Sequence, residues 1–182
     1  MRRREFIDGV LDSISDKYDI YHNYWFGGRK FVIYAYCYNH NNKFASTMNE
    51  SSKLWEAKSY EHLFFINDDN LSLEDYEDLK KFAIDQIEPH FVRADGNKPI
   101  NHHLYTYITF IVITRNRPQI EVEKAIRNLR WHKSYAFFTR GYCKLRFVCV
   151  TPKEFNIIVN DNAPEIKEYL NRVILRKKNY ED

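Results

Sequence analysis

The sequence has few residues that interrupt regular structure, and it has no long apolar run. Only five glycines and five prolines are present, so flexible linkers are scarce. No apolar run reaches the roughly 18 residues that a membrane-spanning helix needs. The basic start, MRRREFIDGVLDSIS, is interrupted by Asp8 and Asp12 and lacks the apolar core of a secretory signal. We therefore expect a cytoplasmic protein.

Motifs of several enzyme classes are also missing. Neither GxGxxG nor GxxxxGK[ST] is present, and the absence of GxSxG argues against a serine hydrolase. The seven histidines give neither HxxxH nor HExxH, so we predict no metal site and no cofactor. The three cysteines form no CxxC pair, and Cys37, Cys143 and Cys149 lie in or beside strand-like runs. We expect them to be reduced and buried.

The composition is that of a folded globular protein. The sequence is 44% hydrophobic and 29% charged, which is enough to build a core and to favour folding over disorder. Its 182 residues predict one domain over residues 1–182, with a division into two lobes near residues 93–103 as the alternative. The abundance of Asn, Lys, Ile and Tyr indicates an AT-rich, bacterial genome.

Hydrophobic spacing in the first half predicts one helix followed by consecutive strands. Residues 4–17 place apolar side chains at helical spacing. Gly27-Gly28, between two aromatic runs, predicts a two-residue hairpin turn, and residues 39–42 predict the next hairpin loop. The strand over residues 31–38 alternates. One predicted face holds Phe31, Ile33, Ala35 and Cys37.

The rest of the chain predicts further strands and three more helices. A strand over about residues 54–66 precedes a helix that begins at Ser72, where Asp75 completes a capping box, and that ends at Pro89. A buried strand, a helix opened by Pro118, further strands and a last helix opened by Pro164 follow. The predicted order is α-β-β-β-α-β-α-β-β-β-α. It indicates an α+β fold in which helices pack on a mixed or mainly antiparallel sheet.

Charge is segregated along the chain. Residues 50–88, the acidic block, contain eleven acidic and four basic side chains, whereas residues 114–146, the basic block, contain nine basic and two acidic ones. Three interpretations are open. The two blocks are solvated or contact each other inside the fold. Alternatively, the basic block binds a polyanion such as nucleic acid, or the acidic block of one copy contacts the basic block of another copy or of a protein partner. The candidate polyanion-binding residues are Arg115, Arg117, Lys124, Arg127, Arg130 and Lys133.

Glu56 and Lys58 are the candidate catalytic pair. Because they lie two residues apart in a predicted strand, their side chains point to the same face. A carboxylate that holds Mg²⁺ beside a lysine suits a metal-dependent nuclease. EAK in LWEAKSY, within the order α-β-β-β-α-β, resembles the second half-motif of the PD-(D/E)xK nuclease superfamily. That family also places an acid on the preceding strand, and KFVIYAYCYN has none. The alternative is a same-face pair beside solvent.

A row of aromatic side chains is the last candidate site. Tyr34, Tyr36 and Tyr38 share one predicted strand face, and Trp25 lies on the preceding strand. Such a row can stack bases or another planar ligand. The alternative is that a helix covers this face. Taken together, the patterns favour a non-catalytic binding or interaction domain that forms a homo-oligomer. A nucleic-acid-binding protein, in its sharpest form a nuclease that uses Glu56 and Lys58, is the alternative.

Overall fold

The computed structural model describes residues 1–39, 58–137 and 139–178, and a seven-stranded mixed sheet forms its centre. The predicted α+β class and the predicted order of elements are confirmed. The strands are β1 (Asp19–Phe26), β2 (Arg29–Asn39), β3 (Lys58–Asn67), β4 (His103–Ile113), β5 (His132–Ser134), β6 (Tyr142–Thr151) and β7 (Asn156–Val159).

Within the described residues, four α-helices pack on this sheet. They are α1 (Arg3–Ile14), α2 (Leu73–Phe82), α3 (Ile120–Arg127) and α4 (Pro164–Lys178). A π-helix (Ala83–Val92) continues α2, and a 3₁₀ turn (Pro152–Glu154) follows β6. Within the described ranges, no helix combines the length and the apolar character needed to cross a bilayer.

The sheet joins an antiparallel part to a parallel part. Its strand order is β1-β2-β3-β4-β6-β5, with β7 also paired to β6. The first three strands are antiparallel, whereas β3, β4 and β6 are parallel. The connections between the parallel strands carry α2 and α3, as parallel pairing requires a crossover. Because β4 lies between β3 and β6, one sheet includes strands from both halves of the chain.

The helices cover both faces of the sheet and bury two apolar cores. On one face, α1 and α4 bury Phe6, Val10 and Leu170 against the strands. On the other face, α2, the π-helix and α3 bury Tyr76 and Ile126. Neighbouring residues of a strand point to opposite faces. In β3, Phe64 therefore lies in the core under α2 and α3, and Phe65 lies in the core under α1 and α4.

Local turn signals correctly predict the first hairpin. Gly27 and Gly28 have φ values of 57° and 76°, which suit a two-residue turn between β1 and β2. The predicted alternation in β2 is wrong at Phe31. Phe31 packs against Phe64 in the core under α2, the π-helix and α3, whereas Ile33 lies in the core under α1 and α4. Asn23 of β1, at φ 51°, lies opposite this point and disturbs the regular pleat. The loop predicted over residues 39–42 lies outside the described residues apart from Asn39, which ends β2.

The helix after β3 starts as predicted but does not end as predicted. The Asp75 N–H donates a 3.0 Å hydrogen bond to Ser72 Oγ, and the Ser72 N–H donates to the Asp75 carboxylate at 3.1 Å, which confirms the capping box. The predicted end at Pro89 is wrong because the chain continues as a π-helix to Val92. The wider π turn accommodates the proline, and the buried Ile87 and Val92 anchor it to the core.

Candidate functional site

A cavity of about 440 Å³ lies between α1, α4 and the sheet. This volume is within the range of small-molecule sites. Apolar side chains form much of its wall. They are Val10 and Ile14 of α1, Leu63 of β3, Ile111 of β4, and Ile166 and Leu170 of α4. Amphipathic helix spacing places the α1 and α4 residues here, since each helix turns one apolar stripe to the sheet.

Tyr18 and Glu61 form the first polar pair of the cavity. Tyr18 lies just after α1, and its hydroxyl donates a 2.7 Å hydrogen bond to Oε2 of Glu61 on β3. Burial, reinforced by the negative charge of Glu61, raises the pKa of Tyr18. Tyr18 therefore stays protonated near neutral pH and acts as a hydrogen-bond donor.

Arg146 and Glu165 form the second polar pair. Arg146 lies on β6 and is only 6% exposed. Its Nε donates to the carbonyl oxygen of Asn162 at 2.9 Å, and its Nη2 pairs with the carboxylate of Glu165 at the start of α4. Its guanidinium carbon lies 3.5 Å from the centre of the Tyr107 ring, which places the cation over the aromatic face. The guanidinium is therefore held in one orientation.

The register of the sheet brings these groups together from distant parts of the sequence. Cys37, Glu61 and Tyr107 occupy one row across β2, β3 and β4, and Thr109 and Arg146 are paired in the next row. Because β3, β4 and β6 are adjacent, their inward side chains form one floor. Along β4 this floor changes from polar at Tyr107 to apolar at Ile111.

The charges that line the cavity balance within the described residues. They are two carboxylates, Glu61 and Glu165, and two cations, Lys17 and Arg146. A ligand with an uncharged or zwitterionic head therefore adds no net charge, whereas a simple anion or cation does. Among the described residues, no group of three or more His, Cys, Asp or Glu side chains is arranged to hold a metal ion.

A buried hydroxyl without a partner lies in the floor. Oγ1 of Thr109 makes no hydrogen bond within the described residues, although Thr109 is fully buried. Its neighbours along and across the strands, Tyr107, Ile111, Leu63 and Arg146, all line the cavity. An unsatisfied buried hydroxyl costs about 1–3 kcal/mol.

A family model described as "Domain of unknown function (DUF8052)" matches residues 2–172. The chain belongs to this family. The matched range includes every residue that lines the cavity. Neither the curated proteins nor the solved structures include a match to the chain.

The structure describes only one member of the predicted catalytic pair. Lys58 is the first residue of β3, and its backbone N–H donates to the carbonyl oxygen of His102 at 2.8 Å. Glu56 lies outside the described residues. The described part of β2 contains no acid, as the sequence shows. The nuclease hypothesis therefore stays a prediction.

Most of the predicted polyanion-binding residues have acidic partners. Glu123 accepts from both Arg117 and Arg127 at 2.8 Å, and Lys133 lies 3.1 Å from Glu88. Two further ion pairs join Arg115 to Asp69 and Arg130 to Asp161. Lys124 makes no ion pair within the described residues. The other five cations are distributed over local ion pairs with acidic residues.

The predicted aromatic row is divided by the fold. Tyr34 is 5% exposed, and its hydroxyl lies 2.8 Å from Nδ1 of buried His62. Tyr38 is more exposed and stacks on Tyr60 at 5.1 Å between ring centres. Trp25 is 64% exposed. A helix cover, the alternative interpretation, applies to Tyr34, which contacts Phe91 of the π-helix.

Sequence reasoning did not identify the cavity residues. The sequence could have identified Glu61 and Arg146 as site residues, because each is a charged residue within a strand whose other inward residues are mostly apolar. A charge at such a position needs a partner or a function. Tyr18 and Glu165 carried no comparable signal, since their positions depend on how α1 and α4 pack.

Proposed function

We propose that the protein is a non-catalytic binding domain that takes up a small molecule between α1, α4 and the sheet. The ligand has an apolar body and an uncharged or zwitterionic head. The observation that carries this proposal is one cavity in which an apolar wall meets the Tyr18–Glu61 and Arg146–Glu165 pairs.

The cost of these polar groups supports a binding role. Enclosing charged groups in a protein costs free energy that their mutual attraction often fails to recover, and apolar residues of similar volume commonly serve stability as well. Glu61 and Arg146 both lie on strands whose other residues on this face are mostly part of the apolar core. Ligand recognition accounts for these two charged residues, whereas stability alone does not.

Each polar pair can serve one side of a zwitterionic head. Oε2 of Glu61 already accepts from Tyr18, which leaves Oε1 to accept from a ligand ammonium or hydroxyl. Nη1 of Arg146 makes no hydrogen bond within the described residues and can donate to a ligand oxygen, as can Lys17. The apolar body then packs against Leu63, Ile111 and the helices.

Four six-carbon compounds test this proposal, since they share an apolar chain and differ in the head. They are norleucine, hexan-1-ol, hexanoate and hexylamine. Each is titrated into ¹⁵N-labelled protein, and amide signals are followed. We expect saturable shifts in α1, β3, β4 and α4 with norleucine and hexanol, with millimolar dissociation constants for ligands of this size. Hexanoate and hexylamine bind more weakly.

Two variants in α4 separate cavity binding from surface binding. Ile166→Trp fills the cavity and should abolish the shifts. Leu175→Trp, on the same helix but 57% exposed and outside the lining, should leave them unchanged. Glu61→Gln should weaken norleucine more than hexanol. Absence of saturable shifts with all four compounds, or equal binding by the Ile166→Trp variant, would refute the proposal.

A further inference from the structure

A basic groove lies away from the cavity and shares no lining residue with it. Its volume is about 590 Å³. Three chain segments form it: the first turn of α1, the corner after β4, and the 3₁₀ turn after β6. Every charged side chain among the described residues of its lining is basic, namely Arg2, Arg3, Arg4, Arg115 and Lys153.

The parallel strands bring these segments together. Because β4 and β6 are parallel neighbours, their carboxyl ends reach the same edge of the sheet. The Thr114 N–H donates to the carbonyl oxygen of Val150 at 2.8 Å, and the Thr114 and Thr151 hydroxyls lie 2.8 Å apart. The corner that carries Arg115 is therefore fixed beside the turn that carries Lys153.

Only part of this positive charge is neutralised. Arg3 and Arg115 share one carboxylate, Asp69, at 2.5 and 3.4 Å. The side chains of Arg2 and Arg4 are 89% and 92% exposed, and they meet acids of their own helix only at 3.6 and 3.8 Å.

Lys153 makes no ion pair within the described residues. Arg2, Arg4 and Lys153 are therefore the three cations available to a ligand, since exposed pairs at such distances contribute little.

The positive charges of Arg2 and Arg4 are unfavourable at the start of α1. Cations in a first turn lie at the positive end of the helix dipole, where they are unfavourable. Glu5 is the acidic residue of that turn, and its carboxylate accepts from the Arg2 N–H at 2.7 Å. A bound anion would relieve the repulsion among the remaining charges.

We propose that this groove binds the phosphate backbone of nucleic acid without reading sequence. Arginine and lysine side chains are the usual donors to phosphate, and phosphate contacts carry no sequence information. Within the part of the chain that the structure describes, no aromatic side chain that could stack on a base lines the groove. The proposal adds a second binding site and does not depend on the cavity.

Fluorescence anisotropy with a short labelled DNA duplex of arbitrary sequence tests this proposal. If Arg2, Arg4 and Lys153 each neutralise one phosphate, affinity should fall about 40-fold between 50 and 200 mM salt. A second duplex of unrelated sequence should bind equally well. The triple variant Arg2→Gln/Arg4→Gln/Lys153→Gln should lose most of the affinity and most of the salt dependence.

A charge-matched triple variant provides the control. Lys124→Gln/Arg127→Gln/Arg130→Gln removes the same charge from the basic block and should bind like the parent protein. Circular dichroism checks that both variants fold. No binding at 50 mM salt, equal losses in both triple variants, or tighter binding to phosphatidylserine vesicles than to the duplex would overturn the proposal.

Discussion

Nζ of Lys133 lies 3.1 Å from Oε2 of Glu88, and this contact joins the acidic block to the basic block. Glu88 is only 1% exposed. It also accepts a 2.6 Å hydrogen bond from the Tyr135 hydroxyl and two from Arg93, at 2.9 and 3.1 Å. A second contact joins Asp69 to Arg115. Part of the charge segregation is thus neutralised inside the fold.

We predict that Glu88→Gln destabilises the protein by about 2 kcal/mol at pH 7, because the four charge-assisted hydrogen bonds from Arg93, Lys133 and Tyr135 lose their acceptor charge. Burial alone would raise the pKa of Glu88, but hydrogen bonds from Arg93, Tyr135 and Lys133 outweigh it and hold this pKa below its ordinary value. Chemical denaturation measures the free energy of unfolding.

The pH dependence of the destabilisation by Glu88→Gln provides a second test. Since the pKa of Glu88 is lower in the folded protein, the stabilisation by ionised Glu88 is complete above the pKa of this residue in the unfolded chain, near 4.3. It is lost as pH falls through the pKa of the folded state. The parent and Glu88→Gln proteins should therefore converge in acid. Glu77→Gln, on an exposed pair with Lys80, should change stability by less than about 0.5 kcal/mol.

The sequence predicts those parts of the fold that local interactions determine. The Ser72–Asp75 capping box and the Gly27-Gly28 turn need only neighbouring residues, and both occur as predicted. The passage of the π-helix through Pro89 depends instead on the burial of Ile87 and Val92 against the sheet. Residue propensities describe local preferences only, so they do not include the free energy that this packing against the sheet contributes.

The cavity could not be predicted because strand order creates it. Glu61 and Arg146 lie on different strands, and only the parallel arrangement of β3, β4 and β6 brings them to one floor. A sequence pattern shows which face of a strand a residue occupies but not which strand lies beside it. The polar residues of α1 and α4 then depend on helix packing as well.

We predict that Gly141→Ala destabilises the protein much more than Gly28→Ala. Both glycines have φ values in the left-handed region, at 73° and 76°. A Cβ at Gly141 would lie 2.2 Å from the carbonyl oxygen of Leu104, whereas one at Gly28 would meet nothing within 4 Å. Gly28→Ala should cost about 1–2 kcal/mol for backbone strain alone. Steric overlap should add about 1–3 kcal/mol at Gly141.

Thermal and urea denaturation of the two glycine variants provide the comparison. Their backbone strain is nearly the same, so the difference in unfolding free energy isolates the contact with β4. Equal destabilisation of both variants would show that the corner before β6 relaxes away from Leu104.

We predict that Asn160→Asp is strongly destabilising. Asn160 is 1% exposed, and its Oδ1 accepts from the Phe147 N–H at 2.9 Å. Its Nδ2 donates to the carbonyl oxygens of Leu129 and Leu145 at 3.0 and 3.1 Å. An aspartate would turn a carboxylate oxygen toward these two acceptors, at a cost of about 3 kcal/mol. Asn162→Asp, at a half-buried position, should cost less in the same denaturation assay.

His62 should make the protein sensitive to acid. It is 2% exposed, and burial lowers its pKa to about 3. Below the ordinary value of about 6.5, the unfolded chain therefore binds a proton that the folded protein does not, and stability falls by about 1.4 kcal/mol per pH unit. Replacing His62 with phenylalanine should remove about 2 kcal/mol of the stability loss between pH 7 and pH 5.

At pH 7 the His62→Phe variant should differ little from the parent protein. The substitution removes the 2.8 Å hydrogen bond with Tyr34, but it also removes Nε2, which is buried without a partner within the described residues. These two contributions oppose each other. His22→Phe, at an exposed position on β1, should keep the acid sensitivity of the parent. Urea denaturation at pH 7, 6 and 5 distinguishes the variants, and equal pH slopes in all three proteins would place the acid sensitivity elsewhere in the fold.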